Sequence, residues 1–522
     1  MNVARAARVT EALAAAGVAE YCVCPGGRNS PLVVVLDGAR GIQRHYGFEE
    51  RSTAFFALGR ARATGRPVAV VTTSGTAAAE LLPAAVEAHY EAIPLVLVTA
   101  DRPPAYRQTG APQTIEQVGL FGEYAPTVYD GYDGRGGPDL SRWDGSHPVH
   151  LNVCFDEPLV DGPVPALELL PAAPHRPAVR PDPAAVDALL RAARRPLVLV
   201  GALDPDDRAG VRDFLRALAA PVYAEATSGL REDPALASLR FASGERVLSA
   251  IEPDAVLRIG GVPTVRFWRD LETRLRDVPV CVVSRAPFPG LTRARVVRGQ
   301  PGSVLSAVTA VTAGATGATG ASEWLKRDRT RAERLRALLA AEPQSEPGMI
   351  AALSGLVPPQ ALVYLGNSLP VREWDLAAAR EPRGWDVVAS RGANGIDGQL
   401  STFLGHCRPG REHWAIVGDL TALYDLAAPW MLRGLDAGPV RMVIVNNGGG
   451  QIFARLSPHA VLRNEHTLAF GEWARMWGLP YQRWTTVPES APGDPRGVIE
   501  LVPDRDATRR FWDAHDALHG AS

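Results

Sequence analysis

The sequence lacks most of the features that announce an enzyme class. Its five cysteines (Cys22, Cys24, Cys154, Cys281, Cys407) are odd in number, scattered and without a CxxC pair. That argues against a disulfide framework and for a reduced, cytoplasmic protein. It also lacks an excess of either charge: 55 Lys and Arg stand against 57 Asp and Glu, a net charge of -2. General affinity for nucleic acid or acidic membrane surfaces is therefore not expected, and an anionic ligand must be held by local arginines. No apolar run reaches the roughly 18 residues of a membrane span, and the Ala-rich N-terminal stretch that Gly17 ends contains no secretory h-region, so neither span nor export is expected. GxGxxG after a strand, GxxxxGK[ST], HExxH and GxSxG are all missing, and the eleven histidines are dispersed without metal-ligand spacing. Hydride transfer, P-loop phosphoryl transfer and zinc hydrolysis recede accordingly.

What is present is repeated alternation. At 522 residues the chain has room for about three domains of roughly 150 residues. Two linker-like stretches divide it: a proline-rich one from about Asp161 to Pro183, and a low-complexity Ala/Gly/Thr run from Ala313 to Ala321. In each segment short Val/Ile/Leu runs alternate with helical patterns. Pro67–Val71 and Pro94–Val98 lie in the first, Pro196–Val200 and Val278–Val283 in the second, and Leu362–Leu365, Trp414–Gly418 and Val440–Val445 in the third. Continuous apolar runs of this kind are strands covered on both faces. The expected class is α/β with three consecutive parallel-sheet domains, 1–162, 183–312 and 345–522.

Gly418-Asp419-Leu420 closes one such run, and Asn446-Asn447-Gly448-Gly449 follows the next, with a helical pattern around Ala427 to Leu435 between them. A strand-helix-strand unit places Asp419 and Asn447 side by side at the carboxyl ends of parallel strands, where open α/β sheets bind ligands. One carboxylate, one amide oxygen and one backbone carbonyl suit a hard cation such as Mg²⁺, which keeps phosphate and water as further ligands. The glycines let the backbone approach a diphosphate. The pattern looks like the metal-diphosphate signature of thiamine-diphosphate enzymes; an ordinary βαβ turn with polar strand ends is the plainer alternative. Near the N-terminus, His45-Tyr-Gly-Phe-Glu-Glu-Arg51 enters a helical pattern over Ser52 to Arg62. Acidic residues are common in first turns, but thiamine chemistry also needs one partly buried glutamate beside N1' of the aminopyrimidine.

A series of motifs then makes a closer resemblance: Cys24-Pro-Gly-Gly-Arg-Asn-Ser-Pro31, Phe48-Glu-Glu-Arg51, Thr73-Ser-Gly-Thr-Ala77, Ala88-His-Tyr90, Thr99-Ala-Asp-Arg-Pro-Pro104, Gly110-Ala-Pro-Gln-Thr114, Gly366-Asn-Ser-Leu-Pro-Val-Arg372, Ser390-Arg-Gly-Ala-Asn-Gly-Ile-Asp-Gly398 and Gly418-Asp-Leu-Thr-Ala-Leu-Tyr-Asp425. In order and content they resemble the 2-succinyl-5-enolpyruvyl-6-hydroxy-3-cyclohexene-1-carboxylate (SEPHCHC) synthase family of menaquinone biosynthesis, with the middle segment matching more loosely. The resemblance implies thiamine diphosphate with Mg²⁺ or Mn²⁺, decarboxylation of 2-oxoglutarate, and addition of the succinyl-carbanion equivalent to isochorismate. The first segment would then bind the pyrimidine and the third the diphosphate and metal.

On that resemblance Glu50 is the cofactor-activating carboxylate, and Asp419, Asn447 and the Gly449 carbonyl are the metal ligands. Gly418 and Leu420 flank the diphosphate, Ile396 wedges the cofactor, and Ile452 and Phe453 wall the pocket. Arg28, Arg102, Arg372 and Arg391 suit two dicarboxylate substrates, because a guanidinium pairs bidentately with a carboxylate, and Gln113 and Ser368 add neutral hydrogen bonds. Three positions depart from the family pattern: Gly27 stands where Ser is common, Pro112 where Asn is, and Glu80 where Asn is frequent. The first two touch the positioning of isochorismate. The family also implies a homodimer or tetramer in which the glutamate and the diphosphate site come from different subunits. Two further readings remain at this stage: a pyruvate-using relative such as acetohydroxyacid synthase or pyruvate decarboxylase, which has little use for four placed arginines, and a binding protein without turnover, which has no need of Glu50.

Overall fold

The computed structural model describes residues 1–132, 136–173, 182–310 and 321–520. Most of the expected Ala/Gly/Thr linker and part of the proline-rich one lie outside these residues. The described strands form three sheets in which every pairing is parallel. The first contains β1 (Glu20–Val23), β2 (Gln43–Tyr46), β3 (Val68–Thr72), β4 (Leu95–Asp101), β5 (Thr127–Gly131) and β6 (Val149–Cys154). The second contains β7 (Pro196–Val200), β8 (Val222–Ala224), β9 (Ala255–Ile259), β10 (Val280–Ser284) and β11 (Arg295–Arg298). The third contains β12 (Leu362–Leu365), β13 (Asp386–Val388), β14 (His413–Gly418), β15 (Val440–Val445), β16 (Tyr481–Trp484) and β17 (Arg496–Leu501).

The expected apolar runs are the inner strands, and they are buried along their whole length: Val68–Thr72, Leu95–Asp101 and Val440–Val445 have no exposed residue. Burying each Val, Leu or Ile in such a strand contributes about 1.5–3 kcal/mol. One expected element differs. The crossover between Asp419 and Asn447 begins as an α-helix at once, Asp419–Tyr424, and the stretch predicted as a helix is a 3₁₀ segment, Ala428–Gly434. The segment is a short connector between strands, a setting in which 3₁₀ turns are frequent.

The first and third sheets share one strand order. It runs β2-β1-β3-β4-β6-β5 in the first and β13-β12-β14-β15-β17-β16 in the third. In each, the chain reverses direction of travel across the sheet between the first and third strands of its set, β1/β3 and β12/β14. Such switch points open a crevice at the carboxyl ends of the strands.

Two compact units result. One joins the first sheet to residues 392–409 and 421–437, and the other contains the second and third sheets with the rest of the described chain. In the first unit the helix Glu50–Thr64 is fixed by Arg60, whose Nε and Nη2 bind Glu20 of β1 bidentately at 2.7 and 2.8 Å. His45 of β2 joins the same carboxylate at 3.1 Å. Although burial opposes it, the hydrogen bonds from His45 and Arg60 hold Glu20 down at about 2. This helix crosses Gln399–His406 with backbones in contact: a Cβ on Gly59 would lie 2.1 Å from the Thr402 carbonyl oxygen, and one on Gly405 would lie 2.2 Å from that of Phe56. Gly59→Ala is therefore expected to cost about 1–3 kcal/mol by overpacking. Thermal unfolding of the variant reads this directly, and an unchanged Tm would show that the helices do not cross this closely.

Candidate active site

In the second unit, β14 and β15 pair in register, Gly418 opposite Val445, so the residues after them emerge together. Asp419 is only 2 % exposed. Its Oδ2 accepts the N–H groups of Gly448 and Gly449 at 2.9 and 2.8 Å, its Oδ1 accepts Leu420 N–H at 2.6 Å, and His466 Nε2 lies 3.4 Å away. Burial nevertheless raises the Asp419 pKa above the usual carboxylate value, the mark of an anion short of positive charge. Asn447 gives its amide nitrogen to Glu346, at 3.0 Å to each carboxylate oxygen. Its amide oxygen is buried and makes no hydrogen bond among the described residues. An orphaned buried acceptor beside a charge-starved carboxylate is a donor set that fits a hard cation. Gly448 and Gly449 have φ of +79° and +128°, and a Cβ on Gly449 would lie 2.5 Å from the Arg463 carbonyl oxygen. Only glycine suits that turn.

Next to this cradle lies a cavity of about 1210 Å³ whose lining includes Asn447, Ile452, Arg372, Arg266, Arg269 and Arg455. Burial lowers the pKa of Arg372, and the neighbouring Arg391 lowers it further. Arg266 is lowered in the same way, by burial and then by Arg269, with Arg372 and Arg455 among the smaller causes. Glu245 and Asp375 line the same cavity and offset part of this repulsion, and a cluster of arginines that depress one another suits an anionic ligand. The loop after β12 carries Ser368 at φ +71°, ψ -123°, a strained conformation for a residue with a Cβ. The Ser368 carbonyl accepts from Arg372 Nη1. Arg391 Nη1 binds Asn367 Oδ1 at 2.6 Å, and Asn367 Nδ2 in turn binds the Ser390 carbonyl at 2.9 Å. Phe453 is 40 % exposed and does not line the cavity, unlike its neighbour Ile452.

In the first unit the two acidic residues of Phe48-Glu-Glu-Arg51 divide their work. Glu49 caps the helix, accepting Arg51 and Ser52 N–H at 3.0 Å each, whereas Glu50, half-buried at the first helical position, has its pKa raised by desolvation and then by the carboxylates of Glu49 and Glu80. The unusual Glu80 thus bears on Glu50. Arg28 follows β1 at the switch point; its N–H donates to Thr73 Oγ1 after β3 at 3.2 Å, and its Nη1 meets the Phe155 carbonyl at 3.1 Å and Glu157 at 3.2 Å. Arg102, just past β4, lies over the Tyr106 ring and donates from Nε to the Pro112 carbonyl at 3.2 Å. Pro112 therefore still contributes a backbone acceptor. Gln113 is exposed at φ +55°, a second strained position among those singled out from sequence. A Cβ on Gly27 would meet nothing within 4 Å, so the missing serine there is a change of chemistry and not of packing. Ile396 lies half-buried on the loop leading into Gln399–His406.

The structure thus gathers Ser368, Arg372, Arg391, Gly418, Asp419, Leu420, Asn447, Gly449 and Ile452 in the second unit, and Arg28, Glu50, Arg102, Gln113 and Ile396 in the first. Sequence reading missed Glu346, Arg266 and His466. Only a comparison of motifs in the middle segment would have found Arg266, and no local pattern marks the other two. Among the described residues no three His, Cys, Asp or Glu side chains form a metal cluster, in keeping with a site of mixed oxygen donors.

Known proteins bear on these sites directly. Residues 2–120 match the thiamine pyrophosphate enzyme family, N-terminal TPP binding domain. The chain is 44 % identical to the 2-succinyl-5-enolpyruvyl-6-hydroxy-3-cyclohexene-1-carboxylate synthase of Bdellovibrio bacteriovorus, with 99 % of each chain covered. It is 41 % identical to that of Akkermansia muciniphila and 36 % to that of Rubrobacter xylanophilus, each with 95 % of both chains covered.

If the cradle holds a diphosphate, Gly449→Ala places a side chain at a positive φ and against a carbonyl, a strain of about 1–3 kcal/mol. The rise in Tm that thiamine diphosphate produces in the wild type should shrink sharply in this variant. An undiminished rise would place the ligand elsewhere.

Proposed function

We propose a division of labour that proceeds from one premise: this chain belongs to the SEPHCHC synthase family. It is a thiamine-diphosphate enzyme that decarboxylates 2-oxoglutarate and adds the succinyl-carbanion equivalent to isochorismate, a transferase step of menaquinone biosynthesis. The bound cofactor supplies the electron sink that stabilises the carbanion left when CO₂ departs. Everything else is done by side chains. Asp419, Asn447 Oδ1 and the Gly449 carbonyl hold Mg²⁺ or Mn²⁺, with Gly418 and Leu420 beside the diphosphate. Glu50, whose pKa desolvation raises, is placed to exchange a proton with N1' of the pyrimidine. Ile452 shapes an apolar wall of the cavity and Ile396 packs against the cofactor, whereas Phe453 stands outside.

The cavity that joins Asn447 to Arg372 and Arg266 supports the substrate reading. Arg372, Arg266 and the neighbouring Arg391 are the groups to grip carboxylates, with Ser368 adding a neutral contact; Arg28, Arg102 and Gln113 in the first unit are candidates of the same kind. A pyruvate enzyme has no second carboxylate to neutralise such a cluster. Two apolar side chains near Glu50, Phe48 at 54 % exposure and Tyr424 at 52 %, suggest that the first unit meets another copy of the chain. We infer a homodimer or tetramer whose active site takes Glu50 from one subunit and Asp419 from the next. The five cysteines are free and buried, which suits a reducing cytoplasm.

Release of CO₂ from 2-oxoglutarate, with and without isochorismate, tests the reaction, and use of pyruvate at a comparable rate would overturn the arginine reading. Arg372→Ala should raise the KM for 2-oxoglutarate roughly ten- to a hundredfold, from the about 1.5–3 kcal/mol of a charged hydrogen bond. Glu50→Gln and Asp419→Ala should each be inactive alone. Mixed and reassembled, they should recover about a quarter of wild-type activity, because half the dimers are heterodimers with one intact site of two. No recovery despite subunit exchange would mean that both residues serve one site from a single chain.

A further inference from the structure

We propose that Glu346 is a positioning residue for Asn447: by taking its amide nitrogen, it turns the amide oxygen toward the cation. The inference rests on the cofactor-site reading above. An asparagine amide presents oxygen one way and nitrogen the other, and the two faces exchange by a simple flip unless a neighbour distinguishes them. Glu346 distinguishes them by geometry, since both of its oxygens lie 3.0 Å from Asn447 Nδ2 and accept from that nitrogen. The flipped amide would put oxygen against oxygen and offer N–H groups to a metal.

The backbone that carries Glu346 is itself anchored. Glu346 opens the helix Glu346–Leu356, where Ser345 caps by accepting Gly348 N–H at 3.1 Å, and its own N–H donates to Thr508 Oγ1 at 3.0 Å. It is 2 % exposed. The Asn447 backbone is secured separately, through its carbonyl and Arg505 Nη2 at 3.4 Å. Loss of Glu346 should thus free the Asn447 side chain and leave its backbone in place. The arrangement is that of a partner behind a metal ligand, whose removal typically costs about 10–100-fold in metal affinity.

The test is Mn²⁺ binding to the full-length protein with thiamine diphosphate, followed by the electron paramagnetic resonance of free Mn²⁺, with Tm measured on the same samples. Glu346→Met keeps length and burial but has no acceptor; it should weaken Mn²⁺ binding about 10–100-fold while Tm holds or rises, since a buried carboxylate has been removed. Glu346→Gln still offers a carbonyl oxygen to Asn447 and should bind Mn²⁺ within about threefold of wild type. Wild-type binding by Glu346→Met overturns the inference, and so does a Glu346→Gln variant that loses as much as Asp419→Ala. If Asp419→Ala itself binds Mn²⁺ normally, the fault lies in the cation-site reading beneath.

Discussion

The constraint on which the site depends is the accommodation of one buried carboxylate at the junction of two parallel strands. Asp419 leaves β14 where Gly448 and Gly449 leave β15, and their N–H groups hold its Oδ2. This ties the two strand ends into one cradle. It leaves a carboxylate that desolvation pushes toward protonation. A cation would relieve that strain on the charge, so the burial that makes Asp419 costly in isolation suits the proposed metal-bound diphosphate.

The repeated strand order gives this local arrangement its wider setting. The first and third sheets are built alike, and each carries part of the chemistry at its own switch point. Arg28 and the Thr73 loop sit at β1/β3, and Ser368 and Asp419 sit at β12/β14. Backbone conformation supports the same placement. Ser368 and Gln113 both hold positive φ, a strain of about 1–3 kcal/mol each that persists only where the surroundings impose it. Stability and function part company here: the strand interiors supply the apolar burial, and the loops beyond their carboxyl ends hold the strained and titrating residues.

Much of this was legible in the amino acids. The Val/Leu/Ile runs at 67–71, 94–98 and 440–445 read as buried parallel strands because continuous apolar runs of that length are strands covered on both faces. The strand-like region leading into His45 is β2, but the edge strand β11 was not legible, since Arg295–Arg298 is short and half exposed and its apolar face is too narrow to leave a period. The crossover after Asp419 was placed too late, because the pattern that suggested it belongs to the 3₁₀ segment. Asp419, Asn447 and Glu50 were visible through motifs. Glu346 was not, because it lies about a hundred residues before the asparagine it holds, and only the packing of its helix beneath β15 brings the two together. Arg266 likewise belongs to a segment with weak motifs and joins the arginine cluster through tertiary packing alone.

The central claim is that Asp419, Asn447 and the Gly449 carbonyl hold the cation that anchors the cofactor. Anomalous diffraction from crystals grown with Mn²⁺ and thiamine diphosphate tests it most directly. A single strong peak touching the Asp419 carboxylate, Asn447 Oδ1 and the Gly449 carbonyl oxygen is the predicted result. A peak elsewhere, with diphosphate density beside it, would contradict the account.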